Sequence, residues 1–149
     1  MKTILNEDMK TKTFRPVYCL YGEEAFLKRS YRNQLKEAIV GDDTMNLTVF
    51  DGSEVTVQQI MDTADTMPFF AERRLIIVDD SGLFKKDAGP LADYLARMPE
   101  TTHLLFVESA VDKRNRLFKR VDAAGGAVDL GRQEEAELKR WVAGLLKRE

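Results

Sequence analysis

The chain has 149 residues, with 23 Lys and Arg against 25 Asp and Glu and a formal charge of −2. Hydrophobic residues make up 44% and charged residues 32%, which excludes a disordered chain, and the near-neutral balance argues against a protein held to nucleic acid or membrane by bulk charge. The length suffices for one real core, the single Cys19 cannot form an internal disulfide and fits a reducing, cytoplasmic setting, and no run approaches the ~20 apolar residues of a membrane span.

Residues 1–13 read as a flexible or loosely helical leader. Pro16 to Tyr21 is a short apolar run stopped by Gly22, too short for a helix, and reads as a buried strand. Residues 24–39 place Leu27, Tyr31, Leu35 and Ile39 on one face of an amphipathic helix that Gly41 stops. A second strand, 46–50, ends at Asp51-Gly52. Thr56 and Gln59 have the spacing of a capping box, opening a helix with Val57, Ile60, Met61 and Ala64 as its apolar stripe. Arg74 to Val78 is the most strand-like run, and Asp79-Asp80 ends it. Pro90 suits the first turn of a third helix carrying Leu91, Leu95 and Met98. Residues 103–107 form a fourth strand, Asp112 is placed to cap a helix ended by Gly125-Gly126, and 127–130 form a last strand. From 133 to the end, Leu138, Trp141, Val142 and Leu145 stripe a final helix. This last pattern runs on without a cap, so the chain is expected to be a fragment of something longer. Alternating strands and helices, with strands apolar throughout, predict an α/β fold: a five-stranded parallel sheet sandwiched by helices with right-handed crossovers.

In such a sheet function usually lies beyond the carboxyl ends of the strands. The first of these turns stands where a P-loop would be. Gly22 and Lys28 keep the spacing of G-x-x-x-x-G-K-[ST], but Leu27 replaces the second glycine and Arg29 the Ser/Thr that would hold magnesium. Glu23 and Glu24 would set two carboxylates where phosphates belong. A plain strand-to-helix turn, with the acids favouring the helix N-terminus, accounts for these residues better than a working nucleotide site. Asp79-Asp80 occupies the place of a magnesium-positioning pair, and without the loop it reads as a strand end or helix cap. A phospho-acceptor receiver domain fits poorly, because the lysine needed after the last strand is absent from Leu130-Gly131-Arg132. His103 is the only histidine and Cys19 lies far from it in sequence, whereas a zinc site needs three or four such ligands, so both read as packing or edge residues. A pairing of His103 with Cys19 as base and nucleophile would need a coincidence of the fold.

Two surface candidates stand out. Met67-Pro68-Phe69-Phe70 lies between a helix and a strand, where loops are normally polar. It reads either as a protruding apolar plug for a partner's pocket or as a lid packed on the domain's own core. Lys113, Arg114, Arg116, Lys119 and Arg120 form a basic cluster at helical spacing, either a solvated face or a face for DNA or an acidic partner.

Taken together, Pro16 to Glu24, Phe69 to Val78, Leu104 to Val107 and Leu138 to Val142 give the chain a resemblance to the N-terminal part of the delta-subunit family of the bacterial DNA polymerase III clamp loader, over roughly residues 14–149. The resemblance implies an AAA+-like (P-loop NTPase-like) domain over 14–132 with a degenerate nucleotide site, followed at 133–149 by the first helix of a truncated helical lid domain. It implies a non-catalytic subunit of the DNA-directed DNA polymerase (nucleotidyltransferase) holoenzyme, acting in DNA replication without cofactor or metal. Its partners would be the ring-shaped sliding clamp (the beta subunit), the gamma/tau and delta prime subunits, and DNA through the complex, with no membrane. A hydrophobic wedge just before the third strand would bind the clamp and help hold the ring open. By position this wedge falls on Met67, Phe69 and Phe70. The alternative is an ATP-binding AAA+ ATPase with an atypical P-loop.

Overall fold

The computed structural model describes residues 2–131. Helix α1 (Lys2–Thr11) leads into β1 (Val17–Tyr21), α2 (Ala25–Val40), β2 (Leu47–Asp51), α3 (Val57–Ala64) and β3 (Arg74–Asp79). A 3-10 turn at Leu83–Lys85 precedes α4 (Gly89–Tyr94), β4 (Thr102–Glu108), α5 (Arg116–Ala123) and β5 (Ala127–Asp129). All strands are parallel, in the order β2-β3-β4-β1-β5, as the alternating pattern predicts. The lid helix expected over 133–149 lies outside the described residues.

The central strands are buried on both faces, so successive side chains feed two separate cores. Cys19, Tyr21, Ile76, Val78, Leu104 and Phe106 meet α3, α4 and α5 on one face. Tyr18, Leu20, Leu75, Ile77 and Leu105 meet α1 and α2 on the other. This division follows from handedness. The chain travels one way across the sheet from β1 to β2 and the opposite way from β2 through β3 and β4 to β5. Right-handed crossovers therefore put α2 on one face and the later helices on the other.

Local signals act where the sequence places them, with three differences. Thr56 and Gln59 form the capping box of α3, and Gly41 ends α2 with its N–H on the Glu37 carbonyl. The leader, expected to be flexible or loosely helical, is instead a helix whose Leu5 is fully buried. It is tied down by Asp8, which accepts from the Tyr18 hydroxyl at 2.7 Å and the Arg15 Nε at 3.0 Å. Asp112 does not cap α5. Its carboxylate is held by Arg114, and Asn115 caps the helix by accepting from the Phe118 N–H. The third helix ends at Tyr94, and Met98 is buried beyond it.

Among the described residues no helix is long and apolar enough to cross a membrane.

Candidate functional site

The turn after β1 is filled by the protein itself. Gly22 has φ +117°, and a Cβ there would lie 2.4 Å from the Gly131 amide nitrogen, so residues 130–131 run directly against the turn. The Glu24 N–H, which a phosphate-cradling loop would aim at its ligand, donates to the Leu130 carbonyl at 3.1 Å. Leu27 is buried in the α2-side core. Lys28 is buried too, and its Nζ donates to the Glu108 carbonyl at 3.3 Å. Arg29 is exposed.

Beside this turn a cleft of about 420 Å³ opens between α2 and the ends of β3 and β4, lined by Lys28, Arg29, Arg32, Asp79 and Asp80 among others. Asp79 is already engaged: the Arg32 guanidinium grips it with two bonds, of 3.0 and 2.8 Å, the strong geometry for this pair. Asp80 accepts from the Ser109 hydroxyl at 3.0 Å. Among the described residues no group of three or more His, Cys, Asp or Glu is placed to hold a metal ion. Glu108, at the end of β4, is buried and accepts from Ser81 N, Ser81 Oγ and Gly82 N at 2.9, 3.1 and 2.8 Å. Burial pushes its carboxyl above the usual range, against the pull of the bonds from Ser81 and Gly82.

The opposite, amino-terminal edge of the sheet carries the apolar loop. Met67, Phe69 and Phe70 are 60%, 55% and 94% exposed. The lid alternative therefore fails: these side chains do not cover the domain's own core. The two rings stack edge-to-face with centroids 4.6 Å apart. Phe70 has φ +51°, a left-handed backbone that few non-glycine residues adopt. Two buried polar side chains brace the loop from beneath. Asn46, fully buried just before β2, accepts from the Phe69 N–H at 2.6 Å and donates to the Phe69 carbonyl at 2.9 Å. Arg74, buried at the start of β3, donates to the carbonyls of Thr66 at 2.9 Å and Met67 at 3.4 Å.

Cys19 and His103 form no pair. Cys19 shares its core with Leu104 and Phe106, whereas His103 alternates with Leu104 and meets Phe14 on the other face. Burial pushes the Cys19 thiol up and the His103 imidazole down, so both stay neutral near pH 7. His103 Nδ1 lies 2.8 Å from the Arg15 carbonyl and Nε2 lies 2.9 Å from Arg73 Nη1, a structural role.

Lys113, Arg114, Arg116, Lys119 and Arg120 are all exposed, but only the last three lie on α5. Arg114 folds back on Asp112 at 3.0 Å, and Arg116 pairs with Asp93 of α4, so part of the charge is neutralised locally.

The family model described as DNA polymerase III, delta subunit, matches residues 18–129. The chain belongs to this delta-subunit family. The DNA polymerase III subunit delta of Bacillus subtilis (strain 168) is 32% identical over 126 residues, covering 76% of this chain and 36% of that protein. The solved structure of the Bacillus subtilis DNA clamp loader delta protein superposes with a TM-score of 0.84 at 25% identity, covering 99% of this chain and 48% of that one. A gamma subunit-related protein of DNA polymerase III from Thermotoga maritima shares the fold, with a TM-score of 0.62 at 15% identity over 88% of this chain and 47% of its own. The chain thus spans about a third of the Bacillus subtilis subunit and about half of each of these two solved chains.

In this delta-family chain four residues that shape the two edges, Asn46, Arg74, Arg32 and Glu108, carry no motif that marks them in the sequence. Asn46 and Arg74 are the first residues of the strands predicted over 46–50 and 74–78; in the structure Asn46 lies just before β2, Arg74 opens β3, and both side chains are buried. Arg32 lies on the polar side of its helix, and Glu108 reads as a strand end. The available signal was a polar residue bordering each apolar run, which does not say whether the side chain turns inward.

Proposed function

We propose that this chain is the clamp-engaging part of a clamp-loader delta subunit. It binds the sliding clamp with Met67, Phe69 and Phe70, helps hold one interface of the ring open, and neither binds nor hydrolyses ATP. The observation that carries this reading is the apolar tip itself: three large apolar side chains exposed together on a braced loop of a delta-family domain. Burying them in a partner pocket contributes on the order of 5 kcal/mol before association costs. That suffices to bias a ring toward its open form by differential binding alone, without chemistry. Support for the ATP-free part comes from the occupied turn, where the Glu24 N–H, Lys28 Nζ and Asp79 carboxylate all have protein partners. ATP energy would then enter through the gamma/tau and delta prime subunits, with DNA reaching the complex. The basic stretch at 113–120 would offer DNA or an acidic partner an exposed face.

The test is a binding measurement against the immobilised sliding clamp of the source organism. The double variant Phe69→Ala, Phe70→Ala is expected to weaken binding at least a hundredfold while far-UV circular dichroism and the thermal midpoint stay near those of the parent. Unchanged affinity in that variant would remove the tip from the interface.

A further inference from the structure

The apolar tip is held by contacts that cross 23 residues of sequence. Asn46 is the centre of these contacts, and every polar atom it owns is engaged. Its N–H and Nδ2 reach the Asp43 carboxylate at 3.3 and 2.6 Å, and its carbonyl accepts from Leu75 of β3 at 2.9 Å. Its Oδ1 and Nδ2 close the two-bond ring on the Phe69 backbone. Only this orientation of the amide satisfies all partners: Nδ2 faces a carboxylate and a carbonyl, while Oδ1 faces an N–H. The side chain therefore does what a neighbouring strand's backbone would do, presenting one donor and one acceptor to a residue in an otherwise irregular loop.

We propose that Asn46 is a positioning residue for the apolar tip, fixing the backbone at Phe69 so that the two rings are presented in one arrangement before any partner arrives. The inference rests on the clamp-binding reading above. A loop left free would have to be ordered on binding, and ordering costs affinity. A buried amide with all its bonds made holds one conformation, because any other leaves buried polar groups without partners.

The test uses the whole chain, the immobilised sliding clamp and three variants: Asn46→Ala, Phe69→Ala and the two combined. Asn46→Ala is expected to weaken binding about tenfold. The combined variant is expected to lose less than the product of the two single losses, since the bond ring and the Phe69 ring serve one contact. Amide hydrogen exchange gives the readout that general destabilisation would not produce. In the parent, the Phe69 amide is expected to exchange at least tenfold more slowly than those of Phe70 and Ala71. In Asn46→Ala it reaches their rate while the amides of Leu75 to Val78 stay protected. If Asn46→Ala binds within twofold of the parent while Phe69→Ala is weak, the positioning role is wrong and the clamp-binding reading stands. If neither variant loses affinity, both fall. Loss of β3 protection along with Phe69 overturns the positioning role. So does a parent Phe69 amide that exchanges as fast as its neighbours, a measurement that holds even where Asn46→Ala fails to fold.

Discussion

The two edges of the sheet treat the same kinds of residue in opposite ways. At the carboxyl edge the polar groups around the turn after β1 are directed onto the protein: Lys28 onto a carbonyl, Asp79 onto Arg32, the Glu24 amide onto Leu130. The apolar Leu27 there is buried. At the amino edge the polar side chains Asn46 and Arg74 are buried and the apolar Met67, Phe69 and Phe70 face solvent. The usual place to look for function in a parallel sheet is the carboxyl edge. Here the polar groups at that edge have partners within the protein, and the exposed apolar side chains lie at the other end of the strands.

Substitutions on each side should separate the two behaviours. The largest effect is expected from Leu27→Ala, which should lower stability by about 3 kcal/mol in urea unfolding because a buried leucine leaves a cavity. A loss under about 1 kcal/mol would mean that the turn is looser than its burial implies. Glu108→Ala should cost about 2 kcal/mol, because Ser81 keeps buried donors, and Gly82 a half-buried one, with no acceptor. Its signature is a lowered midpoint with an unchanged denaturant slope. Phe70→Ala, although it removes a whole ring, should move stability by less than about 0.5 kcal/mol. A larger loss would show the ring packed on its own domain. The smallest expected effect is none: millimolar Mg-ATP should leave the thermal midpoint where it was. A ligand at a hundred times its dissociation constant would add about 2.7 kcal/mol, and a rise of that order, abolished by Lys28→Ala, would reopen the carboxyl edge as a nucleotide site.

Most of the architecture was legible in the residues. The strands are uninterrupted apolar runs because both faces of the sheet are covered, and Thr56 with Gln59 marked a helix start through purely local bonds. Legibility failed where long-range partners decide. Nothing near Leu5 shows that it reaches a core, because its anchor, Tyr18, lies beyond the helix. Asp112 and Asn115 are both good caps, and the choice fell to Asn115, whose amide also reaches the carbonyl of Lys86 at 2.7 Å. At the tip, two adjacent phenylalanines signal that one ring at least is uncovered, yet whether the loop folds inward depends on Asn46 and Arg74. The turn after β1 departs from the P-loop pattern at Leu27 and Arg29, but nothing in the sequence pairs Arg32 with Asp79, 47 residues away.

The left-handed backbone at Phe70 has a consequence for what that position is for. Such a conformation costs a residue with a side chain about 1 kcal/mol relative to glycine, and a ring 94% exposed returns almost nothing through burial. Position 70 is where the interests of the fold and of the surface part: glycine or asparagine is the residue the backbone asks for, and phenylalanine is the one the surface keeps.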